Sequence, residues 1–572
     1  MQKYNKYQSH EREICSKISN FALMNMSSEN MNRLAEFIAE HYGDDPDRLA
    51  LQKGKWPEID VAAAVSTLVS RRKLAGKAPV WATTEGLVLP RTLSAEQCSG
   101  EAAARHKARA IREFLRGNSM NCADASEILN GGASRSADGS DAGQNAVAEE
   151  CRWRIADLTG GLGVDCLEFS KVAEAVLYNE MLPVLADAAV HNFRVLGAGN
   201  IEVCCFEASP RTLGEDGKGD TDVKDADNGF PQRNGMTECG KTNEGVCDFD
   251  GVLRERLEKF HPGVIYLDPA RRDGGGKKVF LLEDCSPDIL KIKNMLLEIA
   301  PVLAVKLSPM ADISMILERL GNECRELQVI EAGGECKELL VLMRRDADIE
   351  QTEVLIPEKQ SECQDVLSPE KRDGCQIKVY NLDMVEGDDK EDEFPVFEFW
   401  RDEENDCTGL RLADAEEIVP GALLFEPGKA LMKAGCFRLI GKCLDAPALG
   451  RDTHYYILED DYMTTGIPPV PDEDEHSSTE EHNDKEKSHL MNISTARAGK
   501  LFRILDVCEM SGKALKEFGQ RHPEAEVTAR SVRMTSEELR RRLRSKSSDR
   551  YHIFALHADK SDKNLLLFTE RI

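Results

Sequence analysis

A chain of 572 residues has room for several domains with independent cores. Its composition is that of a soluble globular protein, and with no apolar stretch of 18 or more residues no membrane-spanning helix is expected. The net charge of -28 is extreme but local: residues 207–250 hold 11 acids and 5 bases, 346–406 hold 21 and 6, and 471–490 hold 8 and 2. These runs read as solvated loops, and the near-neutral remainder leaves a nucleic-acid partner open. The polar start Met1-Gln2-Lys3-Tyr4 has no secretory apolar region, so a cytoplasmic protein is expected. Eighteen scattered cysteines without a Cys-x-x-Cys pair point to reduced thiols, with neither disulfides nor a metal site.

Residues 1 to about 23 are polar and are expected to be disordered. Residues 24–118 read as a helical domain: Leu34, Phe37, Ile38 and His41 recur at helical spacing, as do Val61, Ala64, Leu68 and Val69. A further helix is expected from Ser94, as cap, through Phe114. The Gly/Ser/Ala/Asp-rich stretch 119–150 reads as a flexible insertion.

From 151 to 345 short apolar strands alternate with helical patterns. Strands are expected at 155–158, 175–178, 201–206, 264–267 and 302–307, and helices at 185–196 and 289–299, which argues for a doubly wound parallel sheet in an α/β fold. Segments 328–331 and 338–343 read as a closing antiparallel pair. The acidic run 207–250 interrupts this domain, and 346–416 follows as an acidic linker or partly ordered segment. Residues 417–572 mix strands (455–458, 551–557, 564–568) and helices (513–520, 536–543) in an α+β domain with an acidic loop at 466–490. Its last part, 491–572, carries 17 Lys and Arg against 11 Asp and Glu, which gives it a positive face.

Two strand ends carry the chemistry. Asp157-Leu158-Thr159-Gly160-Gly161-Leu162-Gly163 brings glycine backbone to the carboxyl edge of the sheet, where such folds bind ligands. A dinucleotide fingerprint beginning at Gly161 and Gly163 would need a third glycine where Cys166 stands, which leaves a nucleoside with an amino-acid tail as the alternative. Glu180 ends the second strand, where a carboxylate suits a ribose diol. Asp268-Pro269-Ala270-Arg271-Arg272 ends a very apolar strand, and a charged run there is costly unless it faces a cleft. Asp268 and the carbonyls beside Pro269 could accept hydrogens from an amine or ring nitrogen and align its lone pair, a mechanism of positioning. Arg271 and Arg272 would either hold an acceptor phosphate or pair with Glu283 and Asp284. Lys306 and Ser308 end the next strand at the same edge; Lys306 would neutralise a substrate phosphate or be an edge residue. Cys285 reads as a structural thiol rather than a nucleophile.

Together these segments resemble the class I S-adenosylmethionine-dependent methyltransferases, and more narrowly a bacterial family that joins that Rossmann-like sheet to a C-terminal THUMP-like domain. The resemblance is carried by Leu93 to Glu101, Asp157 to Asp165, Leu267 to Arg272, Asp284 to Ile289, Lys306 to Asp312, Gly334 to Glu338, and Phe425 to Lys429 with Lys433-Ala434-Gly435. It implies a fold of N-terminal helical domain, methyltransferase sheet at 151–345 and THUMP-like domain at 417–572. Asp157, Thr159, Gly161 and Gly163 would hold S-adenosylmethionine, Glu180 its ribose, and a residue near Glu207 its adenine. Asp268, Pro269, Ala270 and Arg271 would stand where amino methyltransferases place an acceptor loop ending in an aromatic residue, and Arg272, Lys306 and Ser308 would meet the substrate. The implied reaction is methyl transfer to a base in tRNA or rRNA. A small-molecule or protein acceptor, or an RNA-binding protein that keeps the fold without catalysis, are the alternatives.

Overall fold

A computed structural model describes residues 28–117, 153–208, 251–270, 282–345, 374–384, 394–459 and 495–572. The start of the chain, the insertion at 119–150, most of the acidic run 207–250 and the loop 466–490 lie outside them. The chain forms two compact units, Met1–Cys324 with Leu340–Val366, and Arg325–Leu339 with Leu367–Ile572.

In the first unit the helical spacing does what it predicts. Leu34, Phe37 and Ile38 of the helix Ser28–Glu40 are buried with Ala64 and Leu68 of the helix Val61–Leu74. Asp60 caps the latter by accepting from the Ala63 N–H at 3.0 Å. The single helix expected from Ser94 is two, Thr92–Gln97 and Glu101–Gly117, with Ser94 inside the first and not at its cap. The break at Cys98-Ser99-Gly100 is fixed from outside the helix: the Glu101 N–H donates to the Lys77 carbonyl at 2.8 Å, and Ser99 takes part in buried side-chain bonds described below.

The strands β1 Arg154–Asp157, β2 Ala175–Asn179, β3 Ile201–Cys204, β4 Val264–Leu267 and β5 Val302–Leu307 follow the sequence order of apolar runs. They lie in the order β3-β2-β1-β4-β5 and all run parallel. Every residue of β4 and β5 is buried, as expected of strands covered on both faces. Helices Val164–Ser170, Pro183–Val195, Gly251–Phe260 and Ile289–Ile299 make the crossovers. The strand order reverses between β1 and β4, so a crevice is expected beyond the carboxyl ends of these two.

The strands β6 Cys324–Ala332 and β7 Glu335–Arg344 are joined at Gly333 and Gly334, both with left-handed φ. In the second unit β8 Gln376–Asn381 runs parallel to β6, and β9 Phe397–Trp400 runs antiparallel to β8. Both fall in the segment read from sequence as an acidic linker or partly ordered. A six-stranded sheet follows, β10 Leu423–Pro427, β11 Tyr456–Leu458, β12 Gly499–Glu509, β13 Glu526–Arg530, β14 Tyr551–Ala558 and β15 Lys563–Arg571, in the order β11-β10-β12-β15-β14-β13. Only the β13–β14 pair is parallel. One core cluster holds Phe502, Phe554 and Leu567; another gathers Leu515, Phe518, Leu539 and Leu543 of the helices Gly512–Arg521 and Ser536–Leu543 with Ile553 and Leu566.

Candidate active site

The first strand ends in a turn built on its own aspartate. Asp157 is 1% exposed, and its carboxylate accepts from the Thr159 N–H at 2.9 Å, the Thr159 hydroxyl at 3.3 Å and the Cys166 thiol at 3.2 Å. Burial pushes the Asp157 carboxyl up to about 7; Asp165 and Asp268 push the same way and the Thr159 amide opposes them.

The glycines then let the loop close onto β2. The Gly160 N–H donates to the Asn179 carbonyl at 2.8 Å, and the Tyr178 hydroxyl donates to the Gly161 carbonyl at 2.7 Å. A Cβ on Gly160 would lie 2.2 Å from the Tyr178 ring, so no larger residue fits that approach. Gly163 has φ +95°, and a Cβ there would stand 2.7 Å from Phe193. Glu180 is buried at the same edge and accepts from the Gly161 and Leu182 N–H groups, each at 2.9 Å. Burial raises its pKa against these amide donors and Arg91. Glu207 is exposed just beyond β3.

The second loop meets the first. The Asp268 N–H donates to the Thr159 hydroxyl oxygen at 2.6 Å, while the Leu158 N–H donates to the Tyr266 carbonyl at 3.1 Å. The Asp268 carboxylate, 29% exposed, receives the Lys306 ammonium at 2.6 Å. Lys306, for which the sequence left open a phosphate contact or an edge role, is buried with its ammonium against Asp268. Pro269 is buried, Ala270 is exposed, and Ala270 exchanges both backbone hydrogen bonds with Ser286, at 2.7 and 3.1 Å. Ser308 is buried, and its hydroxyl accepts from the Met310 N–H at 3.1 Å. Arg271 and Arg272 lie outside the described residues, and Glu283 pairs with Arg319 at 3.3 Å. Cys285 is half-buried.

Sequence reasoning missed a buried cluster behind this edge. Lys107, with no exposed side-chain surface, pairs with Asp165 at 3.1 Å and donates to the Ser99 hydroxyl at 2.7 Å. Ser99 donates to Asp165 at 2.8 Å, and the Tyr266 hydroxyl does so at 3.1 Å. No sequence signal singled out Lys107, which stands in a helix already rich in charged residues.

Strand order, helical crossovers and the convergence of two polar strand ends belong to a fold that the chain shares with a solved structure, and a family model for a THUMP-like domain matches part of its C-terminal sheet. The family model described as THUMP domain-like matches residues 499–571, and one described as a ferredoxin-like domain matches 423–462. The chain is similar to the crystal structure of a "putative methyltransferase" from Porphyromonas gingivalis W83, with 23% identity and a TM-score of 0.63 over 96% of this chain and 99% of that one. That likeness shows a shared fold along nearly the whole length. An S-adenosylmethionine-dependent methyltransferase from Agrobacterium tumefaciens aligns at 16% identity and a TM-score of 0.21, covering 34% of this chain and 57% of its own. Comparison with curated proteins found no match. Among the described residues no helix is long and apolar enough to cross a membrane, and no cluster of His, Cys, Asp and Glu could hold a metal ion.

Proposed function

We propose that the chain is an S-adenosylmethionine-dependent methyltransferase that modifies a base in tRNA or rRNA. The observation that carries this reading is the 2.6 Å hydrogen bond from the Asp268 N–H to Thr159, because it ties the glycine loop to the acceptor loop at one point of the sheet edge. Asp157, Thr159, Gly161, Gly163, Glu180 and Glu207 would hold the cofactor. The donor set fits that molecule: a carboxylate whose burial has pushed it to about 7 is relieved by a cationic ligand, and Glu180 still has lone pairs for a diol. When bound, S-adenosylmethionine supplies an electrophilic methyl group on a sulfonium.

Asp268 would accept a hydrogen from the acceptor nitrogen and orient its lone pair, with Pro269, Ala270 and Arg271 completing the loop. Lys306 fixes Asp268 by a charge-assisted bond, so the carboxylate is set before substrate arrives. Arg272 and Ser308 would meet the substrate beside it. RNA docking rests on the THUMP-like domain, where Arg533, Arg541, Arg544 and Lys546 are exposed.

Mass spectrometry of nucleosides from the rRNA and tRNA of a deletion strain beside its parent tests the reading. One methylated nucleoside should be lost, and it should return with the wild-type chain but not with Asp268→Ala. An unchanged nucleoside profile would remove RNA as the substrate.

A further inference from the structure

Within the second unit, a cavity of about 570 Å³ is lined by Arg401, Glu404, Arg438, Arg451 and Phe437. This is the size of a small-molecule site, yet its lining is unusual in holding three guanidinium groups. The acid among them is already satisfied. Glu404 is 5% exposed, and it accepts from the Arg438 N–H at 3.1 Å, the Arg438 Nε at 3.2 Å and the Leu439 N–H at 3.0 Å. Its charge therefore holds Arg438 in place, and the cavity keeps a net positive lining. Phe437 adds a flat element: its ring stacks on His454 with centroids 3.6 Å apart and planes 12° from parallel. Burial lowers the His454 pKa, with Arg530 acting in the same direction against Asp452, which favours the neutral ring.

We propose that this cavity binds a nucleotide, its phosphate taken by Arg401, Arg438 and Arg451 and its base laid against the Phe437–His454 pair. Guanidinium forks match phosphate oxygens, and a braced aromatic ring offers stacking without a sequence requirement. A carboxylate or sulfate ligand would use the arginines but leave the aromatic pair idle. The nucleotide can belong to an RNA chain or be free in solution, since both present the same phosphate and base. Binding here does not depend on methyl transfer.

The test is fluorescence anisotropy on the full chain with a labelled decauridylate, with competition by uridine 5′-monophosphate and by inorganic phosphate. Arg451→Gln and Phe437→Leu, checked for an unchanged melting temperature, should each weaken binding by about tenfold. Decauridylate bound tightly with little competition from the mononucleotide identifies an RNA chain; strong competition identifies a free nucleotide. The proposal is overturned if the wild type binds neither probe, if Arg451→Gln binds as the wild type does, or if phosphate competes as well as the mononucleotide. None of these results touches the methyl-transfer reading, which is measured at the strand ends of the first unit.

Discussion

Lys107 and Asp165 form an ion pair of 3.1 Å in which the lysine has no exposed surface and the aspartate side chain is 11% exposed. One residue sits on the helix Glu101–Gly117 and the other in the first turn of the helix that follows the glycine loop. The pair thus fastens the N-terminal helices to the carboxyl edge of the sheet beside the glycine loop. Burial alone would push the Asp165 carboxyl up, but Lys107 and Lys306 outweigh it and hold the pKa below the ordinary 3.8. Removing one partner leaves a buried charge, so Lys107→Met should cost about 3–5 kcal/mol. Chemical denaturation would show it, and the double variant Lys107→Met/Asp165→Asn should lose less than the two single losses added. A lowered carboxylate pKa stabilises the fold above the unfolded value, and that contribution is lost as pH falls through the folded one.

Asp157 gives the opposite sign. Its pKa rises from 3.8 to about 7, so it contributes stability that is complete below about pH 4 and is lost as pH rises through about 7. In the proposed role the charged carboxylate meets the cofactor, so affinity should strengthen between about pH 5 and 7, by up to about tenfold per unit, and then level off. Calorimetry across that range reads the effect, and Asp157→Asn should flatten the profile while weakening binding throughout. A flat wild-type profile would show that the cofactor does not use this carboxylate.

Gly163→Ala tests the tight approach of the glycine loop. A Cβ at φ +95° meets Phe193 at 2.7 Å, so strain and clash combine to cost about 1–3 kcal/mol. The melting temperature should fall by several degrees, and cofactor affinity should fall with it. Gly197, also at positive φ, has no atom within 4 Å of where a Cβ would stand, and Gly197→Ala should cost less.

Asp268→Ala and Lys306→Met should separate binding from turnover. Neither side chain is assigned to the cofactor, so calorimetric affinity should stay within about threefold while tritium transfer drops by about a hundredfold or more. The Lys306 variant should retain more activity than the Asp268 variant, because it loosens the carboxylate without deleting it. Full transfer by Asp268→Ala would refute the positioning role.

Much of this architecture was legible in the chain because a parallel sheet asks for unbroken apolar runs. Val264 to Leu267 and Val302 to Leu307 announce themselves, and the helical pattern at 289–299 forms the helix Ile289–Ile299. The strands β8 and β9 were hidden because, although Gln376–Asn381 and Phe397–Trp400 alternate polar and apolar residues, they are short and stand amid a dense acidic run. The long strand β12 was hidden too, with Lys500, Arg503, Asp506 and Glu509 interleaved along it. At the site, both loops could be named from their residues, but not the partners of their side chains. That Lys306 faces Asp268 depends on which strands pair and in what register, and that Lys107 reaches Asp165 depends on which helix packs over which strand end; local spacing encodes neither.

The sheet also shows where this chain can lengthen. The acidic run 207–250 stands in the sequence between β3 and the crossover helix Gly251–Phe260, yet β3 stays in register with β2 and β4 with β1. Closing a longer loop costs free energy that grows only with the logarithm of its length. Evolution is therefore free to lengthen the chain between β3 and β4 with little loss of stability, while the tip of β1, where a Cβ on Gly160 or Gly163 would collide with an aromatic ring, offers no such freedom.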